Sequence, residues 1–254
     1  MRVHDLPKVP QRDLKPRGKG LTMVMDKGLS VRETEDMVSV AGDYIDYVKF
    51  GFGTALVSPN IREKIKVLKS AGIRAYLGGT LFEAFLARNM FSEYQKLLDF
   101  YEFDLAEISD GTLEMKHDDK CDFIVKLSKQ VTVISEVGSK MAGVEIPNDQ
   151  WVQMMKIELA AGSIKVIAEA REGGNIGIYN QDCSANNELI DSIVQNINLD
   201  DVLWEAPLKN QQAWFIKMFG ANVNLGNIAP TEVIALETLR VGLRGDTFFQ
   251  YLNA

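Results

Sequence analysis

The sequence predicts a single (β/α)8 barrel, an α/β fold in which parallel strands alternate with helices. Short apolar runs alternate with longer amphipathic stretches, and eight such units fit into 254 residues. No GxGxxG fingerprint follows the first apolar run, which argues against the doubly wound open sheet, the main alternative. With 46% hydrophobic residues, the chain can bury one large core.

The predicted strands are apolar on both faces, as expected for a parallel sheet that helices cover. VTVISEVG is typical, because its β-branched residues favour extended backbone. In chain order, the eight runs span residues 20–26, 43–51, 73–79, 104–111, 131–138, 164–171, 201–207 and 222–228.

The stretches between these runs carry apolar residues at helical spacing. Gly42, Gly72 and Gly162 each end such a stretch, which predicts left-handed helix C-caps. Pro230 stands at the start of the last long helix, where a missing N–H is tolerated. The clearest helices are SVRETEDMVSVAG, NIREKIKVLKSAG, DQWVQMMKIELAAG and PTEVIALETLRVGL.

The amino-terminal segment, residues 1–18, is polar, basic and proline-bearing, and we expect a flexible leader there followed by a barrel over residues 19–254. The leader lacks the apolar core of a secretory signal. No apolar run approaches the roughly 20 residues of a membrane span. A net charge of −7 argues against nucleic acid as a partner. We therefore expect a cytoplasmic protein that binds neither nucleic acid nor membranes.

Histidine and cysteine are too scarce for several kinds of chemistry. His4 lies in the leader and His117 in the polar run MKHDDK, which excludes a Ser-His-Asp triad and a His-ligated zinc site. Cys121 and Cys183 lack metal-ligand spacing and are expected to be reduced thiols. Proton transfer then depends on Lys, Glu or Asp, and an oxygen-only metal site, most simply Mg²⁺, suits the carboxylates.

Charged residues occupy the carboxyl ends of six predicted strands. In a barrel these ends form one mouth, where such folds place their active sites. A buried carboxylate is costly, so these groups are expected to pair with cations or a metal. Structural ion pairs at strand ends are the alternative. The six residues are Asp26, Lys49, Glu107, Glu136, Glu169 and Glu205, and Lys27, Lys140 and Arg171 stand at the same rim.

Glycine-bearing loops offer a place for an anion. In LGNIAPTE, residues 225–232, Gly226 and Asn227 precede a helix amino terminus, where backbone N–H groups favour phosphate. A tight turn is the alternative reading. Arg244, in the closing LRVGLRGDTF, is a candidate phosphate ligand or a cap for the last helix.

The same residues resemble the phosphosulfolactate synthase family. The likeness is collinear over about residues 17–249 and includes GLTMVMDKGL, GDYIDYVKFGFGT, GGTLFE, EISDG, SEVGSK, EAREGG, EAPLKNQQAWFI, VNLGNIAP and ALETLRVGLRGDT. It implies a (β/α)8 barrel and a lyase that forms a carbon–sulfur bond. The implied reaction is Mg²⁺-dependent addition of sulfite to phosphoenolpyruvate, giving (2R)-phospho-3-sulfolactate for coenzyme M or sulfolactate formation.

The resemblance also implies roles for residues. Lys140 would protonate the substrate carbon close to Glu136, and Lys49 would assist catalysis. Glu107, Glu136, Glu169 and Glu205 form the pool of Mg²⁺ ligands, while Lys27, Lys49, Arg171, Gly226, Asn227 and Arg244 would bind the anionic substrates. Ser139 and Ala170 depart from the family pattern, which usually has Lys and Gly at these positions. We further expect a homo-oligomer.

Two other functions stay open at this point. One is an aldolase-like barrel that uses Lys49 or Lys140 as a Schiff base, since a desolvated lysine is a nucleophile. The other is a non-catalytic protein with a binding role in heat stress, because plant relatives are associated with heat tolerance. The charged rim argues against the second.

Overall fold

A computed structural model describes residues 5–138 and 146–252. All eight strands are parallel, and they are hydrogen-bonded in the order β3-β2-β1-β8-β7-β6-β5-β4. This confirms the predicted barrel. The strands are β1 (Thr22–Asp26), β2 (Tyr47–Phe50), β3 (Arg74–Leu77), β4 (Leu105–Ile108), β5 (Thr132–Val137), β6 (Ser163–Ala168), β7 (Val202–Glu205) and β8 (Leu225–Ile228).

Helices cover the outside of the sheet, and each long one packs an apolar stripe against it. Ser30 starts the first helix with a capping box: its side chain accepts from Glu33 N, and the Glu33 side chain accepts from Ser30 N. The helices are α1 (Val31–Ala41), α2 (Thr54–Val57), α3 (Ile61–Ser70), α4 (Gly79–Leu86), α5 (Phe91–Tyr101), α6 (His117–Leu127), α7 (Asn148–Ala160), α8 (Asn187–Asn196), α9 (Lys209–Phe219) and α10 (Val233–Arg240).

Two predicted helix ends differ in the structure. Gly42 has φ −53° and continues into a 3-10 turn, so the predicted left-handed cap is wrong there. Gly72 and Gly162 do have positive φ values, 64° and 117°. Pro230 begins a 3-10 turn that precedes α10, so the last α-helix begins three residues later than predicted.

The barrel interior is built in layers along the strands. One apolar layer consists of Met23, Tyr47, Tyr76, Leu105, Ile134, Ile167 and Leu203, and Leu21 packs against it from below. Side chains alternate along a strand, so the residue two positions further on points into the same interior, one layer nearer the mouth. That next layer contains Met25, Lys49, Gly78, Glu107, Glu136, Glu169 and Glu205. The apolar layer is therefore the floor beneath a charged one.

Strands β3 and β4 end the hydrogen-bonded order and approach each other across a seam. Side chains join them at both ends of the seam. Arg74 Nη2 donates to the Asp104 carbonyl oxygen at 2.7 Å, and Gly79 N donates to Glu107 Oε1 at 2.6 Å. A Cβ on Gly79 would lie 2.2 Å from the Ser109 hydroxyl oxygen, so glycine permits this close approach.

The amino-terminal leader contacts the opposite end of the barrel, where the strands begin. Arg12 Nε donates to Glu237 Oε1 at 2.9 Å, and Arg12 Nη2 donates to the Gly20 carbonyl oxygen at 2.9 Å. Arg17 Nε lies 2.9 Å from Asp46 Oδ1. Residues 5–18, expected to be a flexible leader, are thus tied to the barrel by buried ion pairs. The boundary at residue 19 stays a prediction.

Within the described ranges, no helix combines the length and the apolar character that crossing a membrane requires.

Candidate active site

A cavity of about 340 Å³ opens at the carboxyl ends of the strands. Its floor is the charged layer of the barrel, and its walls come from the loops after β2, β3, β4 and β6, with Asn227 contributed by β8 itself. The lining residues are Met25, Lys49, Gly51, Phe52, Gly78, Thr80, Thr112, Glu136, Glu169, Ala170, Arg171, Glu172, Gly173, Glu205 and Asn227.

Lys49 is the centre of a buried ion cluster in this floor. Its Nζ lies 2.9 Å from Glu107 Oε1, 3.0 Å from Glu136 Oε2 and 3.5 Å from Glu205 Oε1. All four side chains are almost fully buried. Three strands from different parts of the barrel therefore direct carboxylates at one ammonium.

The cluster fixes the charge state of Lys49. Burial by itself lowers the pKa of its amine, but the carboxylates of Glu107, Glu136 and Glu205 outweigh burial and raise the pKa well above its usual value. Burial raises the pKa of Glu205 to about 7, with the nearby carboxylates adding to burial and Lys49 opposing it. Lys49 is consequently an ammonium at neutral pH.

Glu136, Glu169 and Glu205 form a second grouping in the same floor. Each offers a carboxylate oxygen, and these oxygens lie within 4.8 Å of one another. Two oxygens on opposite sides of one Mg²⁺ are about 4.2 Å apart, so a small adjustment would let all three bind one ion. Counted with Lys49 and Glu107, these described residues hold four carboxylates and one ammonium. The donor set and its negative charge fit a divalent cation such as Mg²⁺.

Glu107 is not part of this group of three carboxylates. Its Oε1 accepts from Gly79 N and also contacts Lys49. Of the four glutamates predicted as metal ligands, the structure therefore groups three and places Glu107 on the β3–β4 side of Lys49.

Contacts at the strand ends position the three grouped glutamates. Ala170 N donates to Glu205 Oε2 at 2.9 Å, and Lys120 Nζ donates to the Glu136 carbonyl oxygen at 2.7 Å. Gly138 has φ 142°, and a Cβ there would lie 2.5 Å from the Glu169 Cβ. A glycine just after β5 is thus required for Glu169 to pack beside Glu136.

A model of the (2R)-phospho-3-sulfolactate synthase family matches residues 10–246 of the chain. Phosphosulfolactate synthases from two organisms support the match over nearly full length. The protein of Bacillus subtilis (strain 168) is 39% identical over 244 residues, covering 95% of this chain and 97% of the relative. That of Methanocaldococcus jannaschii is 41% identical over 236 residues, covering 91% and 94%.

The chain belongs to the (2R)-phospho-3-sulfolactate synthase family.

Solved structures with low sequence identity share the barrel fold with this family member. The 3-hexulose-6-phosphate synthase of Salmonella typhimurium has a TM-score of 0.56 at 10% identity, over 88% of this chain and 100% of that one. Phosphoenolpyruvate phosphomutase of Streptomyces platensis subsp. rosaceus has a TM-score of 0.52 at 13% identity, over 85% and 78%. At such identities the likeness concerns the fold alone.

The residues predicted to bind anions in this phosphosulfolactate synthase family member do not all lie in the cavity. Lys27 Nζ pairs with Glu172 Oε1 at 2.6 Å on the rim, and Arg171 lines the cavity. Asn227 also lines it, and its Nδ2 donates to the Ala170 carbonyl oxygen at 3.3 Å. Gly226 lies below, where a Cβ would meet Met23 Cε at 2.8 Å. Arg244 follows α10 and is not among the described residues that line this cavity.

Lys140 and Asp26 are the remaining predicted rim residues. Lys140 and its neighbour Ser139 lie outside the described residues. Asp26 is buried in an ion pair with Lys64 from α3, and its Oδ1 accepts from Gly28 N and Leu29 N. Asp26 therefore ties the β1 loop to a helix instead of facing the cavity.

Several lining residues were not predicted from the sequence. Thr80 and Thr112 bring hydroxyl groups to the cavity, and Phe52 adds an apolar wall. Thr80 directly follows the Gly78-Gly79 pair, which was a usable signal for a loop at the mouth. Thr112 had no such signal, because its position depends on Glu83, whose Oε2 accepts from Thr112 N at 2.7 Å.

Proposed function

We propose that the chain is a phosphosulfolactate synthase that adds sulfite to phosphoenolpyruvate in a Mg²⁺-dependent reaction, giving (2R)-phospho-3-sulfolactate. One observation carries this proposal beyond the family match. Glu136, Glu169 and Glu205 offer oxygens within 4.8 Å of one another at the floor of the mouth cavity. Such an oxygen-only site suits Mg²⁺ next to small anions.

The reaction forms one carbon–sulfur bond and one carbon–hydrogen bond. The sulfur lone pair of sulfite attacks the methylene carbon of phosphoenolpyruvate, and the enol electron pair moves toward the substrate carboxylate. A proton is then delivered to the carbon that bears the phosphate. Breaking the same carbon–sulfur bond in reverse is lyase chemistry.

Residues of the floor would hold the metal and the developing charge. Glu136, Glu169 and Glu205 would bind Mg²⁺, which supplies Lewis-acid stabilisation of the substrate carboxylate when bound. The buried ammonium of Lys49 adds a fixed positive charge beside these groups, and its effect is strong because little water reaches it. Lys49 thereby favours an anionic intermediate without giving up its proton.

The proton donor in this proposal is Lys140. In the sequence it follows Gly138 by two residues and Glu136 by four. Arg171 and Lys27 would offset the charge of the two anions. The proposal extends to a cytoplasmic homo-oligomer whose product enters coenzyme M or sulfolactate formation.

The structure gives no support to a Schiff base on Lys49. A Schiff base needs a neutral amine, whereas three carboxylates raise the pKa of Lys49 and keep it charged. Its buried contacts also match a structural and electrostatic role.

A spectrophotometric assay tests the proposal directly. Protein, Mg²⁺, sulfite and phosphoenolpyruvate are mixed, the loss of enol absorbance is followed, and the product is identified by mass spectrometry. We expect loss that requires both sulfite and Mg²⁺, abolished by Lys140→Ala and retained by Lys129→Ala, an exposed lysine before β5. Enol loss without sulfite, or none at all, would exclude this activity.

A further inference from the structure

A second cavity of about 400 Å³ adjoins the candidate active site. It lies between the loops after β1 and β8 and also opens at the mouth of the barrel. Three residues line both cavities and form the wall between them: Met25, Glu172 and Asn227. Lys27 lines the second cavity and contacts Glu172 from that side.

One part of the wall between the two cavities is held in place by the barrel, and the other part is a contact that can be replaced. Asn227 is buried and donates to the Ala170 carbonyl oxygen, so its position is set by the barrel. The Lys27 and Glu172 side chains are instead 51% and 45% exposed, and they meet in an ion pair of 2.6 Å. Exposed ion pairs contribute little free energy, because water and ions compete for both partners. This contact is therefore the part of the wall that a ligand can open.

Nearby carboxylates are engaged with other groups. Asp26, next to Lys27 in the chain, pairs with Lys64 and accepts from two backbone N–H groups. Glu33, which also lines the second cavity, accepts from Ser30 N in the capping box of α1. Glu172 is thus the carboxylate that the fold places against the Lys27 ammonium.

We propose that the Glu172 carboxylate competes with the substrate for the Lys27 ammonium. When the substrate binds, one of its oxyanion groups displaces Glu172 from Lys27. This inference rests on the proposed function, because it assigns the ligand of Lys27 to the phosphate or sulfite group of that reaction. Lys27 then changes partner from Glu172 to the oxyanion, and the wall between the two cavities opens. Glu172 in this way weakens the binding of anions, because Lys27 must leave its partner before it can receive one.

The proposal predicts that substituting Glu172 strengthens ligand binding, whereas substituting an ordinary binding residue weakens it. Removing the charge of Glu172 should strengthen oxyanion binding, since Lys27 no longer has to leave a partner. Removing Lys27 should weaken binding. The gain from Glu172→Gln should also vanish when Lys27 is absent, because both changes act on one contact.

The test is a double-mutant cycle measured by isothermal titration calorimetry in the presence of Mg²⁺ at low ionic strength. Phosphoenolpyruvate, inorganic phosphate and sulfite are titrated separately into the native protein, Glu172→Gln, Lys27→Met and the double variant. Glu188→Gln, an exposed glutamate on α8, is the matched control. We expect Glu172→Gln to tighten binding by about two- to fivefold, the range for an exposed ion pair, and the control to change nothing.

The ligand whose affinity rises in Glu172→Gln identifies the oxyanion that Lys27 receives. Weaker or unchanged oxyanion binding by Glu172→Gln would overturn the proposal. So would an equal gain in affinity when Glu172→Gln is made in the Lys27→Met background. Failure of both the native protein and Glu172→Gln to bind any of the oxyanions would overturn it as well. Calorimetry needs no turnover, so a protein that binds these anions without forming product would refute the proposed activity and still decide the role of Glu172.

Discussion

Lys120, on α6, donates a hydrogen bond of 2.7 Å from its Nζ to the backbone carbonyl oxygen of Glu136. The same ammonium lies 2.8 Å from Asp110 Oδ1 and 2.8 Å from Glu158 Oε1, and the side chain is fully buried. All three N–H groups of Lys120 are therefore used. This lysine fixes the strand end that carries one of the candidate metal ligands.

Replacing Lys120 with methionine should destabilise the protein strongly. The change leaves Glu158, Asp110 and the Glu136 carbonyl without their shared donor, and breaking a buried ion pair from one side costs about 3–5 kcal/mol. Urea unfolding measures the free energy of unfolding. Lys96→Met, at an exposed position of α5, is the control and should leave it nearly unchanged. Equal stability of the two variants would show that the Lys120 cluster contributes little.

The same cluster predicts a loss of stability in acid. Burial raises the pKa of Glu158, but Lys120, His117 and Ser135 outweigh burial, so the pKa is lowered from its usual 4.5. A lowered pKa means that the folded state binds the proton less tightly than the unfolded chain. The stability that Glu158 contributes is thus present above pH 4.5 and is lost as pH falls through the lower folded pKa.

Glu158→Gln should remove this part of the acid dependence. Urea unfolding between pH 7 and pH 3 would show a flatter decline of stability for Glu158→Gln than for the native protein. Glu188→Gln, exposed on α8, should keep the native slope. Parallel pH profiles for all three proteins would mean that other carboxylates determine acid unfolding.

The fold was largely predictable because strands and helices have different apolar periods. Each of the eight apolar runs overlaps an observed strand; β6 begins at Ser163, one residue before its run, and β2 covers less than half of its run of residues 43–51. Gly42 explains part of that difference. Its backbone continues into a 3-10 turn, in which Ile45 N donates to the Gly42 carbonyl oxygen at 3.3 Å, a contact that residue type alone does not indicate.

The candidate site was predictable in its composition and less so in its contacts. The two-residue alternation places Glu107, Glu136, Glu169 and Glu205 in one layer, as the sequence predicted. Which of these carboxylates come close to one another depends on how far each strand is shifted along its neighbours in the barrel. A local sequence pattern does not indicate that shift. Lys120 shows the same limit, because it lies in the polar run MKHDDK and is nevertheless fully buried.

Arg12 should anchor the leader to the barrel. Its guanidinium donates to Glu237, to Asn222 Oδ1 at 2.6 Å and to the Gly20 carbonyl oxygen, and the side chain is only 10% exposed. Hydrogen bonds to charged groups are worth about 1.5–3 kcal/mol each, so Arg12→Gln should lower the free energy of unfolding by at least about 2 kcal/mol. Arg32→Gln, exposed on α1, serves as the control in chemical unfolding. A loss no larger than that of Arg32→Gln would show that the leader does not stabilise the barrel.

Glu205 and Glu107 should differ in their effect on Mg²⁺ binding. The carboxylate of Glu205 lies in one group with those of Glu136 and Glu169, whereas Glu107 accepts a hydrogen bond from Gly79 N across the seam between β3 and β4. Loss of an outer-shell partner weakens metal binding by about 10- to 100-fold, and loss of a direct ligand should weaken it at least as much. Calorimetric titration with Mg²⁺ should therefore show the larger loss of affinity for Glu205→Gln. Circular dichroism of each variant checks that the barrel is intact. If Glu107→Gln loses as much affinity as Glu205→Gln, Glu107 is itself a ligand and the grouping of three carboxylates is incomplete.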